Sequence, residues 1–227
     1  MTDIRSLKNK FYLMTAIVVL ALSFSACDKN NDKDNFSNSD DTKANSLIVE
    51  ATVGDYLGSE PEIATVKAII VEKNYQLNNI IGYEVGSSNY KNDSFKLTLG
   101  TTIPDQYLRT VPLQIVEGGV VITVTVNNPN AKITSGVIFV AYNSQEQQIG
   151  IIMPMTKIIE YKTCTAGYVY ADRNCTVNYK ENGEDKWSVS YKKGWNITYI
   201  DSKIDQSVSE KPPYMTVVWT FLNTTNM

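Results

Sequence analysis

Beyond residue 46 the chain is written in short apolar runs, most of them alternating apolar with polar positions and each closed by Asn, Asp, Gly or Pro. A period of two places every second side chain on one face of a strand, and the punctuation is turn chemistry. Runs at 47–53, 63–73, 80–86, 94–99, 120–126, 133–142, 148–155, 166–171, 175–180, 186–192, 195–201 and 214–222 are rich in Val, Ile, Thr and Tyr, which fit pleated surfaces. The pattern predicts an all-β body. Pro61 to Lys73 has a plausible helix start, but Val66, Ile69, Ile70 and Val71 favour strand geometry at that density. Pro104 to Arg109 suits one helical turn between sheets.

Two stretches look alike, as duplicated units or simply as two hairpins would. Residues 68–85 laid over 136–153 each show an apolar strand, an Asn/Gln-rich loop and a returning strand with Ile-Gly, namely Ile81-Gly82 and Ile149-Gly150. Tyr90-Lys91-Asn92-Asp93 before Phe95–Leu99 is matched by Tyr179-Lys180-Glu181-Asn182-Gly183 before Trp187–Tyr191. This favours two antiparallel β-sandwich units, residues 47–128 and 129–227, with the break near Asn127-Asn128-Pro129-Asn130. A single β-barrel is the alternative.

The first 46 residues follow another grammar. Arg5, Lys8 and Lys10 precede an uncharged, mostly apolar stretch from Phe11 to Phe24. Fourteen residues are too few to cross a bilayer, which takes about 20. A cleaved export signal over residues 1–26 fits better. Ser25-Ala26-Cys27 resembles the bacterial lipobox, whose cysteine is acylated and becomes the first residue of the mature chain. Phe24 stands where that motif prefers Leu. The run Asp28-Lys29-Asn30-Asn31-Asp32-Lys33-Asp34 resembles the surface-export signal of Bacteroidota lipoproteins. With Phe36 its only aromatic, segment 27–46 reads as a flexible acidic tether. Asp32 and Asp34 do not open a calcium loop, because Phe36 and Ser37 stand where that loop needs a ligand and a glycine.

Composition narrows the function classes. Residues 1–26 hold three basic residues and one acidic, so eighteen basic and twenty-three acidic remain, a net charge of −5. A mildly acidic chain with no basic cluster argues against nucleic acid as a partner. Histidine is absent, which removes Ser-His-Asp and Cys-His nucleophile systems, His-ligated zinc and His general bases. No metal site and no cofactor is expected, and Gly118-Gly119 suits a tight turn and lacks the spacing of a dinucleotide loop.

Aromatic residues concentrate after residue 160. Trp187, Val189 and Tyr191 share a strand face, as do Trp195, Ile197 and Tyr199, and such alternation is what an inward-facing strand requires. Tyr168 and Tyr170, beside a turn at Asp172-Arg173-Asn174, are the better candidates for exposure. With Trp195 they are the place to look for a platform on which a sugar ring stacks. Cys164 and Cys175 are the only thiols after Cys27, in a compartment that permits a disulfide. A hairpin about 172–174 would set Cys175 near Tyr170 and leave Cys164 out of register, so a bridge and two buried thiols both stay open. Glu181, Glu184 and Asp185 are the carboxylates an acid–base pair would use, but they sit in a hydrophilic hairpin loop.

Ser87-Ser88-Asn89-Tyr90-Lys91-Asn92, Ala166-Gly167-Tyr168 and Lys193-Gly194-Trp195-Asn196 resemble a group of Bacteroidota surface lipoproteins, over most of residues 60–222. The first half is similar in pattern to transthyretin-like and carboxypeptidase-regulatory sandwich modules. The resemblance implies a β-rich extracellular protein and carries no catalytic residue. The expectation is a lipid-anchored outer-membrane protein, exposed on the cell surface and attached to the membrane through Cys27. It would act without catalysis, as a binding module for glycan or partner protein or as a structural module. The alternatives are a carboxylate-dependent glycan hydrolase and a subunit of a surface assembly built by strand addition.

Overall fold

A computed structural model describes residues 44–57, 62–71, 76–110, 113–117, 120–156, 164–201, 206–208, 211 and 216–225. The signal, Cys27, the tether up to residue 43 and Gly118-Gly119 lie outside the described residues. In chain order the strands are β1 Leu47–Leu57, β2 Thr65–Val71, β3 Gly82–Asn89, β4 Ser94–Leu99, β5 Leu108–Thr110, β6 Leu113–Glu117, β7 Val120–Val126, β8 Lys132–Thr134, β9 Val137–Tyr142, β10 Gln148–Thr156, β11 Cys164–Ala171, β12 Cys175–Glu181, β13 Glu184–Tyr191, β14 Gly194–Asp201, β15 Gln206–Val208 and β16 Val217–Asn223. One 3-10 turn, Asp105–Tyr107, precedes β5 where the sequence suggests a helical turn. The all-β class is what the period-two pattern predicts.

Seven strands, in the order β3-β2-β9-β10-β16-β1-β4, form a nearly closed, barrel-like sheet. It is mixed, because β1 runs parallel to β16 while its other pairings are antiparallel. β1 changes partner at a bulge between Val53 and Asp55: residues 47–52 pair with β4 and residues 53–57 with β16. The gap between β3 and β4 is bridged by the Gly100 N–H, which donates to the Val85 carbonyl at 2.7 Å. Gly86 permits the approach, since a Cβ there would lie 2.5 Å from the Thr98 carbonyl oxygen.

At its far end β10 turns to β11, which continues into β14 and β15, and β8 and β5 attach to β11 at Ala171. A separate antiparallel sheet has the order β13-β12-β7-β6.

Alternation places the core. On β4, Phe95, Leu97 and Leu99 point inward and Lys96 and Thr98 outward. They meet Val49, Ala51 and Val53 of β1, Val66, Ala68 and Ile70 of β2, Phe139 of β9 and Phe221 of β16 inside the barrel. Full burial of each large side chain is worth about 1.5–3 kcal/mol. Edge-on rings, Phe139 to Trp219 at 5.2 Å and Phe95 to Trp219 at 5.5 Å, fill the centre. A second cluster joins Val169 and Ala171 of β11 to Val177, Tyr179, Trp187, Val189 and Tyr191 of the four-stranded sheet. A third lies on the outer face of β2, β9, β10 and β16 under Leu77 and Ile80. The Gln148 side chain pins that cover, accepting from the Ile80 N–H at 2.8 Å and donating to the Leu77 carbonyl at 2.6 Å.

Three expectations are corrected. The chain does not divide into sandwiches at residue 128, because β2 pairs with β9, β1 with β16, β5 with β8 and β7 with β12 across that point. The barrel-like sheet is nearer the single-barrel alternative. The stretches that repeat each other are the hairpins β2–β3 and β9–β10, which lie side by side in one sheet through β2 and β9. Finally, Asp172-Arg173-Asn174 does not close a hairpin: β11 and β12 belong to different sheets, and the bend carries the chain across the second core.

Candidate functional site

Tyr168, Tyr170 and Trp195 are brought together, as a site there would require. Tyr170 and Trp195 are partners in the β11–β14 ladder, with rings edge-on at 5.5 Å, and Tyr168 meets Phe139 edge-on at 5.3 Å. All three are buried, at 6%, 7% and 7% exposure, so none presents a face to a sugar. The reason is the position of β11. Tyr168 and Tyr170 face the barrel core, Val169 and Ala171 face the second core, and the strand is covered on both sides. Proximity to a turn, the ground for expecting exposure, carries no weight for a shared wall.

Their polar tips are used internally. The Trp195 indole N–H donates to the Gly100 carbonyl at 2.8 Å and the Tyr170 hydroxyl to the Thr101 carbonyl at 3.0 Å. Buried amphipathic aromatics need such partners, and here they fix the segment leaving β4. Burial raises the pKa of both Tyr168 and Tyr170, with Tyr199 and Asp172 adding to it respectively, so both phenols stay protonated.

Cys175 carries a free, buried thiol pushed up to about 11 by burial. Such a thiol is a small apolar filler and a poor nucleophile. Cys164 opens β11 at the end remote from Ala171, with Asp201 as its ladder partner, while Cys175 opens β12 opposite Tyr191. The full length of β11 separates the two positions, so the bridge considered from the sequence is not made.

The carboxylates Glu181, Glu184 and Asp185 do lie in a hairpin turn, between β12 and β13, closed by Asn182 and Gly183 at φ 49° and 86°. Asp185 pairs with Lys180 at 2.9 Å and Glu184 with Lys186 at 3.1 Å, both at the surface. Solvated, lysine-paired carboxylates are suited to holding the turn soluble. Among the described residues no group of three His, Cys, Asp or Glu is placed to hold a metal ion.

One polar cluster was not anticipated. The Tyr56 hydroxyl donates to Asp93 Oδ1 at 2.8 Å and lies 2.9 Å from the Tyr90 hydroxyl, at the rim where β1 leaves β4. Asn92 and Asp93 form the β3–β4 turn at φ 50° and 56°, a two-residue hairpin geometry that aims the Asp93 carboxylate back at β1. Desolvation, then the bonds to Tyr90 and Asp93, raise the Tyr56 pKa, which makes it a fixed donor. The Tyr-Lys-Asn-Asp turn was visible in the sequence; its partner on β1, 34 residues from Tyr90, was not. Comparison with protein-family models, curated proteins and solved structures finds no match to this chain.

Proposed function

We propose that this protein is lipid-anchored through Cys27 in the outer membrane and displays its β-rich body at the cell surface as a non-enzymatic structural or protein-binding module. The observation that carries the reading is Ser25-Ala26-Cys27 after an export-type apolar run and before the acidic stretch 28–34. The tether read from the sequence as 27–46 is shorter, because Ala44 packs on the barrel core and Asn45 bridges to Gly194, which leaves sixteen residues, 28–43, between Cys27 and the body. A flexible segment of that length has an end-to-end distance of about 22 Å, enough to hold the body clear of lipid headgroups. Several acyl chains at about 0.8 kcal/mol per buried methylene supply a stable anchor. Partner protein is favoured over glycan as ligand, because the three aromatic residues proposed to stack on a sugar are buried in the core.

The test is fractionation and protease shaving of cells expressing the full chain beside a Cys27→Ala variant. The native chain is expected in the outer-membrane fraction and to be digested on intact cells. The variant should leave that fraction while keeping its unfolding transition. A native chain that stays soluble, or that resists protease until cells are lysed, contradicts the proposal.

A further inference from the structure

The two ends of the four-stranded sheet differ in charge. β12 runs from Cys175 to Glu181, about 20 Å at the rise of a strand. At its far end stand Glu117, Glu181, Glu184 and Asp185, with Lys180 and Lys186. At its near end five cations gather around Ala171, whose ladder partners are Gly194 on one side and Ile133 on the other. Lys192 and Lys193 precede Gly194, and the Lys193 N–H donates to Asn174 Oδ1 at 2.8 Å, beside Arg173. Lys132 precedes Ile133 and donates its N–H to Asp172 Oδ1 at 2.8 Å, while Arg109 is the ladder partner of Ile133. Among the described residues the carboxylates bonded into this group are Asp105, on Lys132 at 2.7 Å, and Asp172, on Arg173 at 2.8 Å. The end is net positive on a body whose residues 47–227 hold eighteen acidic and fifteen basic side chains. No run of the sequence shows it, because four separate segments contribute.

The chain coming from Cys27 enters the fold at this same end. Asn45 forms a parallel bridge to Gly194, next to Lys193, and its carbonyl accepts the Trp195 N–H at 3.4 Å. Gly194 sits at φ 104°, and a Cβ there would lie 2.6 Å from the Asn45 nitrogen, so the close seat needs glycine. From this placement we infer that the end formed by Arg109, Lys132, Arg173, Lys192 and Lys193 rests on the lipid surface and binds its phosphate-bearing headgroups. Length and charge both select that occupant. The sixteen residues 28–43 reach about 22 Å, whereas a body of this size spans about 40 Å, so the entry end is held nearest the lipid and the hairpin of Glu181 and Glu184 stands away from it. The reach that lets the body stand clear of the headgroups also lets this end settle on them. Each Lys or Arg close to an anionic surface strengthens binding about fivefold, and the acidic far end is repelled. The inference rests on Cys27 as the anchor, but the contact itself requires only a tether fixed to lipid at that point.

The test reads lysine acetylation, residue by residue by mass spectrometry, on the chain from residue 27 onward bound to vesicles. One sample is held by its own acyl chains. A second carries a histidine tag ahead of residue 27 in their place and is held by a nickel-chelating lipid. Failure of the first sample to float with phosphatidylcholine vesicles counts against the anchoring reading alone, since the tagged sample still reads the orientation. Each sample is compared on phosphatidylcholine and on phosphatidylcholine mixed with phosphatidylglycerol. Lys192 and Lys193 should be acetylated about fivefold more slowly on the vesicles with phosphatidylglycerol, and high salt should restore their rate. Lys180 and Lys186, in the far hairpin, should react alike on both. Equal rates at Lys192 and Lys193 on the two kinds of vesicle, or slowing at Lys180 and Lys186 instead, overturn the inference.

Discussion

The indole N–H of Trp195 reaches the Gly100 carbonyl at 2.8 Å, across 95 residues of sequence, and so ties β14 to the segment that leaves the barrel at β4. The Tyr170 hydroxyl repeats the contact one residue further on, at Thr101. Two aromatic donors that face each other across the β11–β14 ladder thereby lock a segment that carries little regular structure of its own. Trp195→Phe should cost about 1–2 kcal/mol, the penalty of leaving a carbonyl without its donor, and Trp195→Ala about 3–5 kcal/mol as a cavity opens beside Tyr170. Urea unfolding of the two variants checks the order.

Gly150 faces β16 so closely that a Cβ would lie 2.3 Å from the Leu222 carbonyl oxygen and 2.6 Å from the Phe221 ring. Backbone cannot yield as a flexible side chain can. Gly150→Ala should therefore destabilise by about 1–3 kcal/mol or displace β16 from β10. Gly183→Ala meets nothing within 4 Å and should cost only its left-handed conformation at φ 86°, about 1–2 kcal/mol. Thermal unfolding of both variants, with amide exchange across β10 and β16, separates collision from backbone strain.

Halves cut at residue 128 should not fold. Each would expose strands whose partners lie in the other half, β2 without β9, β1 without β16 and β7 without β12. Chains 47–128 and 129–227, expressed apart, are expected to show no cooperative unfolding and no slow amide exchange, whereas the undivided body should melt in one transition. Either half giving dispersed, protected amides would contradict an architecture in which both sheets pair strands across residue 128.

The stability of the body should fall at high pH. Burial moves the Cys175 thiol from 9.0 to about 11, and burial also moves the Tyr191 phenol from 10.0 to about 12. Both groups bind their proton more tightly folded than unfolded. Their contribution is complete below the unfolded values and is lost as pH rises through the folded ones. Denaturation midpoints should be unaffected by these two groups below about pH 9 and decline from there toward pH 12. Cys175→Ala should remove the earlier part of that decline, and a thiol reagent should modify Cys175 only on unfolding.

Local pattern carried the strand class, and pairing lay beyond it. Runs such as 47–53, 94–99 and 175–180 fall on β1, β4 and β12, because alternation is a property of a few adjacent residues. The likeness of the two hairpins was legible too. Ile69 faces Ile138 and Ile70 faces Val137, and a shift of 68 residues exchanges these two pairs, so a local two-fold axis relates the hairpins. What the repeat could not reveal is that such units lie against each other in one sheet. Short strands such as Leu108–Thr110 and Gln206–Val208 carry too few residues to show a period. Burial of Tyr168 and Tyr170 depended on what covers both faces of β11, which no neighbouring residue reports.

The measurement that bears most directly on the account is mass spectrometry of the N-terminal peptide of the mature protein, purified from membranes. A chain that begins at Cys27 and carries a diacylglyceryl group with a further acyl chain is the predicted result. An unmodified Cys27, or a mature chain that still retains residues 1–26, would contradict it.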